Sequence, residues 1–294
     1  MNHLSPLRYP GGKARIASFL TDAIDLNDLR GCSYYEPCAG GAGAALSLLK
    51  AGTVRDLHLN DADRRIFAFW KSVLDEGDRF IEKIYSVPVT IEEWHRQHAI
   101  CAKPRGRNRF DIGFAAFFMN RCNRSGVLSG AGPIGGYRQT GKYRLDVRFN
   151  RSSLAQRVFE LNRLRESISI SCQDAIKFLK TKLPRGNDRQ RVFVYLDPPY
   201  VNKGQRLYLN AYKASDHAEL ARYLKAQGTL PWIMSYDDSP LVRRLYSSCK
   251  VALIPINYSL QVKRSAHELI IAPKRLATPA ACSPIVAGLL AQAS

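Results

Sequence analysis

The sequence predicts an α/β protein built on a mostly parallel sheet, with a basic and largely helical segment inserted into it. Three observations carry this. Short apolar runs recur with helical stretches between them, the alternation breaks between about residues 63 and 150, and the positive charge concentrates in that interruption.

The candidate strands are Ser33–Glu36, Val54–Leu59, Ile168–Cys172, Val192–Leu196, Trp232–Tyr236, Val251–Ile256 and Glu268–Ala272. They are rich in apolar, β-branched and aromatic residues, as strands buried on both faces are. Leu154–Arg165, with Leu154, Val158, Leu161 and Leu164 on one face, predicts a covering helix. Residues 64–120 predict a run of helices that begins with Ile66, Phe67, Phe69, Trp70, Val73 and Leu74. Residues 125–149 are Gly-rich with polar and aromatic residues alternating, and predict a hairpin or long loop. The expected division is therefore residues 1–62 with 151–275 as one domain, 63–150 as an insert, and the Ala-rich 276–294 as a frayed tail.

The chain has 294 residues, 46% of them hydrophobic, enough for a sizeable core. Lys and Arg number 44 against 25 Asp and Glu, a net charge of +19. Residues 91–165 hold 15 basic and 5 acidic side chains, so a quarter of the chain supplies about +10 of that excess. An excess so localised fits a polyanion held through counterion release. Trp94, Phe110 and Phe149 lie in the same stretch and read as core rather than as stacking platforms. The seven cysteines (32, 38, 101, 122, 172, 249 and 282) include no C-x-x-C pair and no zinc-ligand spacing, so no metal is expected. Their number and spacing suit reduced thiols in the cytoplasm. The start lacks the apolar run of a signal peptide, and no apolar stretch predicts a membrane span.

The strongest chemical signal is Val192-Phe-Val-Tyr-Leu-Asp197-Pro198-Pro199-Tyr200. An apolar strand ends in an acid, two prolines and an aromatic ring, at the strand end where open parallel sheets bind ligands. These residue types suit activation of an exocyclic amine. The Asp197 carboxylate and the Pro198 carbonyl can accept its two N–H groups and localise its lone pair, while Tyr200 stacks on an extruded base. The plainer alternative is a strand-terminating turn. A second signal is Tyr34-Tyr-Glu36-Pro37-Cys38-Ala-Gly40-Gly41-Ala42-Gly43, a turn of small residues that allows close backbone approach to a ligand. Asp61 follows Gly40 by 21 residues at the end of the next strand, placed to accept the two hydroxyls of a ribose. A third is Leu7-Arg8-Tyr9-Pro10-Gly11-Gly12-Lys13; it lacks P-loop spacing and on that ground alone is a flexible basic arm. His58 and His217 read as structural, the latter as a capping or packing residue.

In this order the three segments resemble the bacterial and phage DNA-adenine methylases of the D12 class, from Leu7 to about Pro273. Asn120-Arg121, Gly141–Asn150, Asp216-His217, Ser235-Tyr-Asp-Asp-Ser-Pro-Leu and Glu268-Leu-Ile-Ile add to the match. The resemblance implies a doubly wound sheet binding S-adenosylmethionine, with an inserted target-recognition domain carrying a β-hairpin. It implies an adenine-specific DNA methyltransferase acting on double-stranded DNA by base flipping, cytoplasmic, bacterial or phage-encoded, and monomeric. The catalytic residues would be Asp197, Pro198, Pro199 and Tyr200. Tyr9, Pro10, Gly11, Gly12, Lys13, Glu36, Pro37, Gly40, Gly41, Gly43, Asp61, Asp174 and Asp197 would hold the cofactor, Asp61 at its ribose and Asp174 at its adenine. Two departures stand out: Cys38 replaces the family's Phe, and Ala42 its second Gly.

Sequence reading is expected from Asn120, Arg121, Arg124, Arg138, Gln139, Lys142 and Arg144, since Arg and Lys suit guanine edges and Asn and Gln adenine edges. Lys103 and Arg105 are expected on phosphates. Two rivals remain. Cytosine-N4 methylation uses similar chemistry, though Asp at 197 and the Pro10–Lys13 segment favour adenine. A catalytically dead DNA-binding module would need neither Asp61 nor Asp197, and would bind no cofactor.

Overall fold

The computed structural model describes residues 4–8, 16–201, 212–258 and 264–279. The chain divides into two compact units, one of Met1–Pro10 and Asp63–Cys172, the other of Gly11–Ala62 and Gln173–Ser294. Residues 151–172, expected with the sheet domain, thus group with the helical insert.

The strands are β1 (Cys32–Glu36), β2 (Val54–Asn60), β3 (Ile168–Ser171), β4 (Val192–Leu196), β5 (Trp232–Asp237), β6 (Lys250–Tyr258) and β7 (Arg264–Ala272), in the sheet order β3-β2-β1-β4-β5-β7-β6. β1 runs parallel to β2 and to β4, and β4 parallel to β5. β7 lies antiparallel between β5 and β6. All seven expected strands form. β7 starts at Arg264, ahead of the apolar run that marked it, because β6 offers a ladder extending to Tyr258↔Arg264.

The central strand β4 shows why continuous apolar runs signal this fold. Val192, Val194 and Leu196 pack on one face with Ile176, Phe178 and Leu179 of α8 (Ala175–Lys182) and with Leu220 and Leu224 of α9 (Ala214–Lys225). Phe193 and Tyr195 alternate onto the opposite face and are equally buried, Phe193 stacking with Tyr34. Each such side chain contributes about 1.5–3 kcal/mol by leaving water. The order β3-β2-β1-β4-β5 makes the crossovers reverse direction between β1 and β4. A ligand crevice belongs at the carboxyl ends of those two strands.

The other unit is helical apart from β3: α3 (Arg64–Asp75), α4 (Gly77–Ser86), α5 (Ile91–Ala102), α6 (Arg109–Cys122) and α7 (Arg151–Arg163). Asp63, Thr90, Asn108 and Asn150 cap four of them through side-chain oxygens. α6 is buried on nearly every face, and its Phe114 and Phe117 join Phe69, Phe80, Phe110 and Phe149 in one aromatic core. Gly113 permits the close crossing of α3, since a Cβ there would lie 2.5 Å from the Ala68 carbonyl oxygen. Trp94 is buried and donates its indole N–H to Asn123 Oδ1 at 2.7 Å, so it too is core. No helix among the described residues is long and apolar enough to cross a membrane.

Two expectations are corrected. Residues 125–149 take the long-loop form and not the β-hairpin: the stretch 123–149 holds one isolated bridge, Asn123↔Pro133, and two 3-10 turns, Arg124–Gly126 and Leu145–Arg148. Pro133 has no N–H for a ladder, and Gly126, Gly130, Gly135 and Gly136, with Ser125 and Gln139, take left-handed backbone angles that curl the chain. The start of the expected tail is also anchored. Asn27 Nδ2 donates to the Ala277 carbonyl at 2.8 Å and Ala277 N–H returns to Asn27 Oδ1 at 3.0 Å, while Leu276 is buried. Residues 280–294 lie outside the described residues.

Candidate active site

β1 ends at Glu36 and the chain turns through Pro37–Ala42 into α2 (Gly43–Lys50). Gly40 has φ +48°, which suits glycine, but Ala42 adopts φ +48° as well. The left-handed conformation costs a non-glycine residue roughly 1–2 kcal/mol. Ala42 is held in it by its N–H to the Ala39 carbonyl at 2.7 Å, and Ala39 N–H in turn reaches the Asn60 carbonyl at 2.8 Å. The turn that glycine would form is therefore made by alanine under constraint. Asp61, just past β2, accepts the Gly40 N–H on Oδ2 at 2.9 Å. The 21-residue interval thus brings acid and glycine loop together. Beneath them the fully buried Asn60 donates to the carbonyls of Pro37 and Gln173, both at 2.9 Å, and accepts the Gln173 N–H at 2.9 Å.

At the end of β4, Asp197 is half-buried and Oδ1 accepts the Ser235 hydroxyl at 2.9 Å. Pro198 is buried, and Pro199 and Tyr200 are partly open, with the Tyr200 ring 6.1 Å from that of Tyr236. Val201 N–H closes the turn onto Asp237 Oδ1 at 3.0 Å. Because β1 and β4 are paired neighbours, their two terminal loops lie side by side. Burial, then the charges of Asp61, Asp197, Glu36 and Asp174, push the Cys38 thiol well above its usual range. Burial, then Glu36 and other neighbours including Asp197, act likewise on Tyr34. Glu36, Asp61, Asp174 and Asp197, which stand at or just past the ends of β1, β2, β3 and β4, thus all bear on this one thiol.

Asp174 caps α8, its Oδ1 accepting from Ile176 and Lys177 N–H at 2.9 and 3.0 Å. Gly41 and Gly43 lie in the β1–α2 turn and at the first position of α2. Tyr9, Pro10, Gly11, Gly12 and Lys13 lie outside the described residues. His58 stacks on Tyr35 at 4.3 Å, and the buried His217 pairs its Nδ1 with the Tyr236 hydroxyl, so both are structural. The sequence assigns no role to Asn60, or to Tyr195 and Ser235 within their motifs. The signal available was a polar tip inside an apolar strand.

In the helical unit the expected base readers separate into two groups. Asn120 is wholly buried: Oδ1 accepts Arg8 N–H at 2.6 Å and Nδ2 donates to the carbonyls of Arg8 and Gly126. Gln139 is committed to its loop, donating to the Ile134 and Gly136 carbonyls and accepting Leu145 N–H. Arg121 donates to the Arg148 and Pro6 carbonyls. Burial, then the charges of Arg8, Arg157 and Arg148, lower its pKa to about 9. These three hold the unit together in the structure, because their amides and guanidinium meet backbone groups that would otherwise lack partners. Arg124, Arg138, Lys142 and Arg144 are exposed, as are Lys103 and Arg105. Arg8 sits at the C-terminal end of α6, donating to the Asn120, Arg121 and Asn123 carbonyls, so the segment is no loose arm at that residue.

No curated protein matches the chain. Among solved structures it is similar to a conserved hypothetical protein from Streptococcus pyogenes, at 9% identity over 84% of this chain and 89% of that one, with a TM-score of 0.36. It is also similar to a SAM-dependent methyltransferase from Agrobacterium tumefaciens, at 11% identity over 90% of this chain and 62% of that one, with a TM-score of 0.39. The family profile of the D12 class N6 adenine-specific DNA methyltransferases matches residues 9–260. With that span of the chain matched, the protein belongs to the D12 class N6 adenine-specific DNA methyltransferase family, whose methyl donor is S-adenosylmethionine.

Proposed function

We propose that the crevice at the ends of β1, β2 and β4 binds S-adenosylmethionine and presents Asp197 and the Pro198 carbonyl to adenine N6. The observation that carries this is the placement of Glu36, Asp61 and Asp197 at the ends of three neighbouring strands, with Asp61 bonded to the glycine loop. Carboxylates at neighbouring strand ends beside a tight glycine turn fit a ligand bearing a sulfonium, an ammonium and a ribose. When bound, S-adenosylmethionine supplies an electrophilic methyl group. Asp61, aligned by the Gly40 N–H, accepts the ribose hydroxyls, with Glu36, Pro37, Gly40, Gly41 and Gly43 forming the wall. Asp174, whose Oδ1 is committed to its cap, orders the loop before α8. Asp197 and Pro198 accept the two amine N–H groups, which localises the nitrogen lone pair toward the methyl. An adenine inside a duplex cannot reach them, so it leaves the stack, and the partly open Tyr200 ring receives it while Pro199 fixes the turn.

The helical unit would hold double-stranded DNA. Arg124, Arg138, Lys142 and Arg144 are the candidates for base edges, and Lys103 and Arg105 for phosphates; their exposure supports this. The working form would be a cytoplasmic monomer, with thiols kept reduced. The test is native-DNA sequencing and nucleoside analysis of a plasmid expressed with this gene. N6-methyladenine at one recurring motif is expected, and N4-methylcytosine would overturn the assignment of the base.

A further inference from the structure

The last three residues of β5, Ser235, Tyr236 and Asp237, touch three successive parts of the Asp197–Val201 turn. Ser235 meets Asp197, Tyr236 lies beside Tyr200, and Asp237 holds the Val201 N–H. The register explains the match. Val194, Tyr195 and Leu196 pair with Trp232, Ile233 and Met234, so the next step of the ladder brings Asp197 level with Ser235.

Ser235 is fully buried and its hydroxyl has one proton, which goes to Asp197 Oδ1 at 2.9 Å. Its 2.8 Å contact with the Tyr195 hydroxyl must then be one in which Tyr195 donates. Burial, followed by the charge of Asp197, keeps the Tyr195 phenol protonated by raising it well above its usual range. The two hydroxyls form a one-way chain that ends on the carboxylate. A carboxylate rotates over a broad, two-fold torsion. A fixed donor on one oxygen removes that freedom.

We propose that Ser235, backed by Tyr195, is a positioning residue for methyl transfer: the Tyr195–Ser235–Asp197 chain fixes the rotation of the Asp197 carboxylate toward the amine it accepts. This rests on Asp197 as the amine acceptor, and the two ideas fail in different ways. Ser235→Ala is expected to lower kcat by about 10- to 100-fold while KM for S-adenosylmethionine and for DNA stays within about twofold. Ser235→Thr, which keeps the hydroxyl, recovers most of the loss. Tyr195→Phe costs about threefold alone and nothing further in the Ser235→Ala background, as members of one chain should. Because Ser235→Ala leaves the Tyr195 hydroxyl buried without that acceptor, the Tyr195→Phe/Ser235→Ala double variant serves where the single one fails to fold. Wild-type kcat in the double variant, with Asp197→Asn inactive, overturns the positioning role alone. A fall in melting temperature and cofactor affinity with kcat intact also overturns it, since that marks a structural residue. Wild-type turnover by Asp197→Asn overturns the assignment beneath it.

Discussion

Asn60→Ala is the perturbation whose cost can be worked out most fully. The side chain makes three hydrogen bonds of 2.9 Å in a fully buried position, to the Pro37 carbonyl and to both backbone groups of Gln173. Alanine leaves one N–H and two carbonyls behind. Each buried group left without a partner costs about 1–3 kcal/mol. Carbonyls retain a second lone pair, so about 3 kcal/mol is a reasonable sum. At about 2–4 °C per kcal/mol for a chain of this size, the melting temperature should fall by roughly 6–12 °C. The same change loosens Pro37 and the Ala39 anchor, and with them the Gly40–Asp61 contact. Affinity for S-adenosylmethionine should drop by about tenfold, equivalent to about 1.4 kcal/mol. Differential scanning calorimetry and titration calorimetry read the two quantities separately. A melting temperature within 2 °C of wild type and an unchanged dissociation constant would refute the idea that Asn60 holds the loop.

Three further outcomes follow from the same geometry. Ala42→Gly should raise stability by about 0.5–1 kcal/mol, because relief of the left-handed strain exceeds the unfolded-state entropy that glycine adds; chemical denaturation measures it, and destabilisation would contradict the strain. Cys38 should be alkylated by iodoacetamide at pH 8 far more slowly than the exposed Cys172, since burial and neighbouring carboxylates hold it as the thiol. Asp61→Asn should speed its labelling by removing a charge that raises the thiol, and equal rates in both proteins would contradict this. Gln139→Ala should lower stability by about 1–3 kcal/mol through the lost loop bonds, whereas Arg138→Ala should leave stability intact and alter the methylated motif; a motif fixed in every Arg124, Arg138, Lys142 and Arg144 variant would remove base reading from this loop.

The sheet unit is legible in the sequence because its signals are redundant. A strand such as Val192–Leu196 is buried on both faces, so its composition alone marks it, and the acids at 61 and 197 stand where strands must end. The basic unit was less legible, because side chains suited to base edges are equally suited to backbone groups. Asn120 and Gln139 carry amides that would read adenine, yet the fold uses them to satisfy its own carbonyls and N–H groups. The hairpin failed for a related reason: alternation in composition did not outweigh Pro133 and a run of left-handed glycines. Tyr195 and Ser235 stand in sequence motifs, but their role is not legible there, because both are core residues and only the fold aligns their hydroxyls in a chain to Asp197.

In the proposed mechanism Asp197 activates the amine and does not merely bind the substrates. Single-turnover methyl transfer by Asp197→Asn, with cofactor and DNA affinities measured on the same preparation, tests it most directly. Asparagine preserves the shape while replacing an acceptor oxygen with a donor NH₂ and removing the charge that draws the amine protons. The rate is expected to fall by about 10³-fold or more, with DNA affinity unchanged and S-adenosylmethionine still bound, though more weakly. A single-turnover rate within tenfold of wild type at saturating cofactor and DNA would contradict that role for Asp197.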